Sequence, residues 1–419
     1  MRTLTQVANP STGPVAAKGG RPVVLQVVPR LVAGGAERSA VDIATALARE
    51  GGTALVASQG GPMERELTRA GVIHIRLPLA SKNPIVMYRN VARLVRVIED
   101  HGVDIVHARS RAPAWSSAAA ARRTGCQFVT TFHGAYRLGN EFRRRYNAIM
   151  VSGTAVIANS EFIARHIRDN YKVDPQRIRV IRRGVDLDRF DPEKVSAERV
   201  IQLARRWRLP DGVRTILLPG RLTRLKGHTL LIEALRQLQD ADFLCLMVGS
   251  DDGRAAYRGE LERLIARYDL GSRVFLPGDC NDMPAAYKLA DVVVCASTHP
   301  ESFGRVVSEA QAMGCPVVAA DHGGVREQVL EDRTAFLFPP GDATALAAAL
   351  QRALSLDSRT RERLAKTALT HVRRHFSKDQ MCAATLALYR EILRSAAVET
   401  TPCPRTQRPP SSGSAAAES

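Results

Sequence analysis

Short apolar runs alternate with stretches of helical periodicity along nearly the whole chain, and this alternation leaves few folds open. Val23–Val28 opens the series, and Ala54–Ala57, Val72–Leu77, Asp104–His107, Phe128–Phe132, Val156–Asn159 and Ile178–Ile181 continue it. Runs this short and apolar suit strands buried on both faces, with the helices between them as crossovers of a parallel sheet. The rhythm breaks at Arg183-Gly-Val-Asp-Leu-Asp-Arg-Phe-Asp-Pro192, a polar segment that reads as an interdomain linker. A second series starts at Thr215–Pro219. It continues through Phe243–Val248, Val274–Leu276, Asp291–Cys295, Pro316–Ala319 and Ala335–Phe338. A chain of 419 residues is too long for one ordinary core. The expected architecture is therefore two Rossmann-like, doubly wound α/β domains facing a central cleft.

The expected boundaries are residues 21–193 for the first domain and 194–377 for the second. A helix over 378–397 should pack back on the first domain. Residues 1–20 lack an apolar core segment and read as a disordered leader, not a signal peptide. The Pro-, Ser- and Thr-rich stretch 398–419 reads as a disordered tail. No apolar run is long enough to span a bilayer. The seven cysteines are scattered, form no CxxC and have no histidine cluster nearby. They fit small buried side chains of a reducing compartment, so a cytoplasmic protein with no metal site is expected.

Charge is distributed unevenly. The net charge is +18, and residues 1–193 hold 29 Lys and Arg against 16 Asp and Glu. A basic first half is attracted to anionic surfaces. Only 8 of the 60 basic residues are Lys, so an arginine-biased composition accounts for part of the excess. Glu141-Phe-Arg-Arg-Arg-Tyr146 concentrates charge beside aromatics, which marks Arg143, Arg144 and Arg145 for lipid head groups or an acidic glycan. The same pattern also fits a solvated helix face. Pro84–Ile98 carries three arginines on a helical apolar pattern, as an ordinary core helix or an interfacial one does.

Four segments fall where strands lead into helices, the place where such sheets bind ligands. Gly34-Gly35 opens a helix whose free N–H groups attract phosphate, though a plain tight turn looks the same. Gly220-Arg-Leu-Thr-Arg-Leu-Lys-Gly227 lacks the Walker spacing but offers Arg221 and Lys226, a cation pair able to neutralise a diphosphate. In Pro300-Glu-Ser-Phe-Gly-Arg-Val-Val-Ser-Glu309, Glu301 precedes a helix and Glu309 lies on it. They suit sugar and ribose hydroxyls respectively, with helical N–H groups at Phe303–Val306 facing an anion. His133, at a strand end and followed by Gly134, is placed to donate to a sugar, although a lone histidine is more often structural.

Taken in order, these pieces resemble the retaining glycosyltransferases of family 4, which have the GT-B fold. Ala158-Asn-Ser-Glu161, Arg183-Gly-Val-Asp186, Val248-Gly249 and the E-x7-E spacing of Glu301 and Glu309 add to the likeness, which covers roughly residues 22–395. The resemblance implies Arg221 and Lys226 at the donor diphosphate and Glu309 at the ribose. It implies Glu301 and His133 at the transferred sugar, as the catalytic pair. Phe303 and Gly304 would meet the sugar and phosphate through backbone N–H groups, and Gly35 would close on the diphosphate. Arg183 stands where the family often has Asn, and the segment is read as structural. The implied activity is metal-independent transfer of a hexose, with no cofactor, from a nucleotide sugar, UDP in preference to GDP. The implied acceptor is a glycan or lipid-linked glycan of lipopolysaccharide or surface-polysaccharide synthesis, met at the inner face of the cytoplasmic membrane. A GT-B nucleotide-sugar epimerase is the enzymatic alternative. A basic nucleic-acid-binding protein is the other, but no recognition motif or interleaved aromatics support it, so no nucleic-acid partner is expected.

Overall fold

The computed structural model describes residues 21–32, 34–136, 138–238 and 242–400. The expected leader, Cys403 and the tail beyond residue 400 lie outside them. The first sheet has seven parallel strands: β1 Val23–Val27, β2 Thr53–Ser58, β3 Ile73–Arg76, β4 Ile105–Ala108, β5 Gln127–Phe132, β6 Ala155–Ala158 and β7 Ile178–Val180. The second has six: β8 Arg214–Pro219, β9 Phe243–Val248, β10 Val274–Gly278, β11 Val292–Cys295, β12 Val317–Ala320 and β13 Ala335–Phe338. Their orders are β3-β2-β1-β4-β5-β6-β7 and β10-β9-β8-β11-β12-β13, with every pairing parallel. The order therefore reverses between β1 and β4 in one sheet and between β8 and β11 in the other. The expected two doubly wound sheets are present, and every apolar run named above forms a strand.

The two faces of β1 show how the cores are built. Leu25 and Val27 pack with Leu94 and Ile98, while Val24 and Val28 pack on the opposite face with Val41 and Ile43. Side chains alternate across a strand, so a strand buried on both faces must be apolar throughout. The second sheet is likewise covered on both sides.

The final helix, Lys378–Thr400, completes one face of the first sheet. Met381, Leu386, Tyr389 and Ile392 are buried against the same cluster as Val24 and Val41. Each such side chain contributes roughly 1.5–3 kcal/mol when removed from water. The helix runs to Thr400, three residues past the expected end at 397, so residues 398–400 belong to it and not to a tail.

The chain crosses between the two halves twice, and the crossings lie side by side. Val185 donates its N–H to the Phe376 carbonyl at 2.8 Å and accepts from Lys378 N at 2.8 Å. Lys378 Nζ pairs with Asp186 at 2.7 Å. Gly184 lies so close to the other crossing that a Cβ there would stand 2.2 Å from the Ser377 carbonyl oxygen. A third link comes from helix Glu161–Asn170, whose first N–H groups, at Glu161 and Phe162, donate to the Glu327 carboxylate at 2.8 and 2.6 Å. An anion at that helix end offsets its positive dipole.

Candidate functional site

Both switch points open onto one cleft. Helix Gly35–Arg49 starts directly after the β1 loop. Its N-cap, Gly34, is extended and makes no side-chain cap, so the first-turn N–H groups are left for another acceptor. After β4, Arg109 is buried, with its Nε 2.6 Å from Gln26 Oε1 and its Nη2 without a partner. After β5, His133 lies part-buried beside Arg183, whose Nη2 is 2.7 Å from His133 Nδ1. A guanidinium can only donate, so Nδ1 accepts and the imidazole proton sits on Nε2. That Nε2 is sealed from solvent and unpartnered. Burial, with Arg183, Arg109 and His107 close by, holds the His133 pKa well below the ordinary histidine value. His133 is thus a neutral donor at neutral pH, which suits the oxygen of a sugar or a leaving group.

The second domain supplies the other wall. Lys226 ends a single turn, Arg224–Lys226, and its Nζ pairs with Glu301 Oε1 at 2.5 Å. Ser297 donates to the same oxygen at 2.6 Å. Burial works against charge on both partners, but the mutual attraction wins: the lysine pKa is raised and the glutamate pKa is lowered. Gly227 allows the turn, since a Cβ there would stand 1.8 Å from the Ala296 carbonyl oxygen. Arg221 is exposed and only loosely paired, at 3.5 Å from Asp252.

Glu309 is a buried carboxylate, not a surface one. It lies one turn into helix Arg305–Ala312, taking a hydrogen bond from Tyr287 Oη at 3.0 Å and pairing with Arg305 at 2.9 Å. The expected roles of Phe303 and Gly304 rest on backbone atoms. The Phe303 ring is buried against Phe376, and Gly304 caps the helix with a φ of 87°. His133, Glu301, Lys226, Gly35, Gly304 and Glu309 are thus gathered from strand ends and helix starts of both sheets. Arg143, Arg144 and Arg145 occupy exposed positions on helix Glu141–Ala148. Among the described residues, no group of three or more His, Cys, Asp or Glu is arranged to hold a metal ion.

One reading needs correction. Arg183 is not merely part of a structural linker: it reaches into the cleft between His133 and Gly35, where a Cβ on Gly35 would stand 2.0 Å from its Nη1. Desolvation, with Arg305 and Arg109 nearby, pushes its pKa down to about 9, against the pull of Glu37 and Glu301. It remains a cation at neutral pH. Sequence reasoning also missed Gly323 and Gly324. A Cβ on either would stand 2.4 Å from the Glu301 or Ser302 carbonyl oxygen, so this pair lets the Glu301 loop lie flat on the segment after β12. Two glycines directly after an apolar strand were the available signal, the same one that marked Gly34-Gly35.

Residues 201–371 match the family described as glycosyl transferases group 1, and residues 33–189 match glycosyltransferase family 4. A D-inositol 3-phosphate glycosyltransferase of Xylanimonas cellulosilytica is 35% identical over 68% of this chain and 71% of its own. One from Jonesia denitrificans is 31% identical over 71% and 74%. Among solved structures, a glycosyltransferase of Rickettsia africae is 38% identical, covers 89% of this chain and 99% of its own, and superposes with a TM-score of 0.83. Anabaena HepE in complex with UDP is 25% identical, covers 89% and 100%, and has a TM-score of 0.75.

Proposed function

The chain belongs to the group 1 glycosyltransferases and has their GT-B fold, and from that premise we propose that it moves a hexose from a UDP-sugar to a lipid-linked glycan acceptor of cell-envelope polysaccharide synthesis. The observation that carries the donor side is the convergence of the Lys226–Glu301 pair and two helix N-termini on one cleft, with His133 on the small pocket beside them. The uridine base is supported by the UDP bound in HepE.

In this reading the bond from the anomeric carbon to the donor phosphate oxygen breaks as positive charge builds on the sugar, an acceptor hydroxyl oxygen bonds to that carbon, and the hydroxyl's proton passes to the departing phosphate. Lys226 and Arg221, with the helix starts at Gly35 and Arg305, stabilise the departing diphosphate. Fixed cations supply that charge, so turnover needs no metal. Glu301 orients sugar hydroxyls while holding Lys226 in place, and Glu309 takes the ribose. His133 donates from Nε2 without gaining charge. Calorimetry with UDP and GDP, in the presence of EDTA, tests this. Micromolar binding of UDP to the native chain, weakened about 30-fold or more in Lys226→Ala, is expected, since truncating one partner of a desolvated charge pair between protein and ligand costs about 2–5 kcal/mol. Equal binding to both proteins would refute the donor site.

The acceptor side rests on the first domain's surface. Phe142 is 83% exposed beside Arg143, Arg144 and Arg145. Tyr146, one turn on, stacks on Trp115, and Ser116 next to it bonds the Met87 carbonyl on the helix that exposes Ile85 and Tyr88. Exposed aromatics among arginines suit an anionic bilayer surface, where the rings enter the interface and the guanidinium groups meet phosphate. Flotation with phosphatidylglycerol vesicles should carry the protein upward at low salt. Arg143, Arg144 and Arg145 all changed to Glu should abolish this, and no flotation of the native chain would remove the membrane from the proposal. The relatives named for D-inositol 3-phosphate favour a second acceptor class, a phosphorylated polyol, and the cations at the cleft floor are compatible with it.

A further inference from the structure

Arg183 has no task in the donor chemistry above, yet its surroundings call for an anion. Its Nη1 faces Gly35 at the positive end of the 15-residue helix Gly35–Arg49, which carries no side-chain cap. A cation at that end of a helix is repelled by the dipole. Its Nε is sealed from solvent and has no hydrogen-bond partner. Beneath it, Arg109 is 3% exposed, lines the same small pocket with His133 and Arg183, and leaves its Nη2 unpartnered. Arg305 reaches in from the other domain, with its Cδ 3.7 Å from the position of a Cβ on Gly35. Of the carboxylates in range, Glu301 holds Lys226 and accepts from Ser297, Glu309 pairs with Arg305, and Glu37, beside Gly34, attracts Arg183 by its charge. Cationic side chains drawn together out of water, with donors left unpaired on Arg183 and Arg109, destabilise a fold unless an acceptor joins them.

We propose that Arg183, with the open helix start at Gly35 and Arg109 beneath, forms a phosphoryl-binding site at the hinge. The inference rests on the glycosyltransferase reading and assigns the chain an anion contact from the hinge itself. Phosphoryl groups fit because guanidinium forks and helix N–H groups both match tetrahedral anionic oxygens. Two sources are available, the β-phosphate of the donor and a phosphate carried by the acceptor. Since Arg183 stands one residue before Gly184, where the first crossing meets the second, a phosphoryl group held there also ties ligand binding to the angle between the domains.

Calorimetry on the full chain with UDP, UMP, GDP, GMP and inorganic phosphate tests this, using native protein, Arg183→Asn and Arg183→Lys. The native chain is expected to prefer a diphosphate over its monophosphate. Arg183→Asn should cut that preference at least tenfold while leaving monophosphate affinity unchanged, and Arg183→Lys should restore part of it. If the preference survives in Arg183→Asn but inorganic phosphate binding is lost, the acceptor supplies the phosphoryl group. Unchanged diphosphate preference together with unchanged phosphate binding in Arg183→Asn would overturn the site. A native chain that does not distinguish diphosphate from monophosphate would count against the donor reading itself, separately from Arg183. Matching thermal unfolding midpoints for native and Arg183→Lys keep a folding defect from imitating the result.

Discussion

Gly227 shows how tightly the donor-side turn is specified. Its φ is +73°, and the space for a Cβ is taken by a backbone oxygen that cannot move aside as a side chain end can. Gly227→Ala is therefore expected to destabilise the protein by roughly 2–4 kcal/mol, the sum of left-handed strain and overpacking. A shift of the urea midpoint without a change in slope is the expected record of it. At this scale the sequence was partly readable. His133, Glu301, Lys226 and Glu309 stood out because each sits at a strand end or on the helix that follows, next to a glycine or at a telling spacing. Arg183 did not, because a guanidinium on a polar linker has no periodicity to mark it. Its direction is set by the second chain crossing, some 190 residues later in sequence. Glu309 was readable as a ligand candidate but not as a buried residue, because Tyr287 arrives from a different helix.

Among the elements, the strands were the most legible, since a strand buried on both faces has to be apolar end to end. Helix ends were less so: Lys378–Thr400 outruns its apolar pattern. What this helix does for the sheet was invisible in sequence, because its partners lie in the first half of the chain. Tyr389 Oη bonds His107 Nδ1 at 2.6 Å, while His107 Nε2 meets Thr131 Oγ1 at 2.7 Å, so a fully buried imidazole on β4 is satisfied at both nitrogens only when the last helix is docked. Tyr389→Phe keeps the packing and removes one partner from a buried polar group, which costs about 1–3 kcal/mol. Chemical denaturation should record a loss in that range. A neutral result would mean that water or another group replaces the hydroxyl.

Over the whole molecule, pH acts through imidazoles that burial keeps neutral. His107 and His228 are both fully buried. Burial lowers each pKa, that of His107 well below the ordinary value and that of His228 to about 4. The unfolded chain takes up protons near pH 6.5, which these native sites refuse until lower pH. Stability is therefore fully present above about 6.5 and is lost as the pH falls toward 4, at up to about 1.4 kcal/mol per unit for each group. Urea unfolding should give a lower stability at pH 5.0 than at pH 7.5, by roughly 2 kcal/mol from His228 and in the same direction from His107, and a flat profile would mean that both imidazoles take up protons in the native state as readily as in the unfolded chain. The two side-by-side crossings bear on synthesis as well. They make the second domain an insertion within the first, whose last helix is translated about 200 residues after β7. At roughly 5–20 residues per second, the inserted domain emerges complete while its host waits about 10–40 s for its final piece. On the ribosome, the later domain in sequence is thus the earlier one able to finish folding, and the apolar face reserved for helix Lys378–Thr400 is the surface a chaperone would have to shield in the interval.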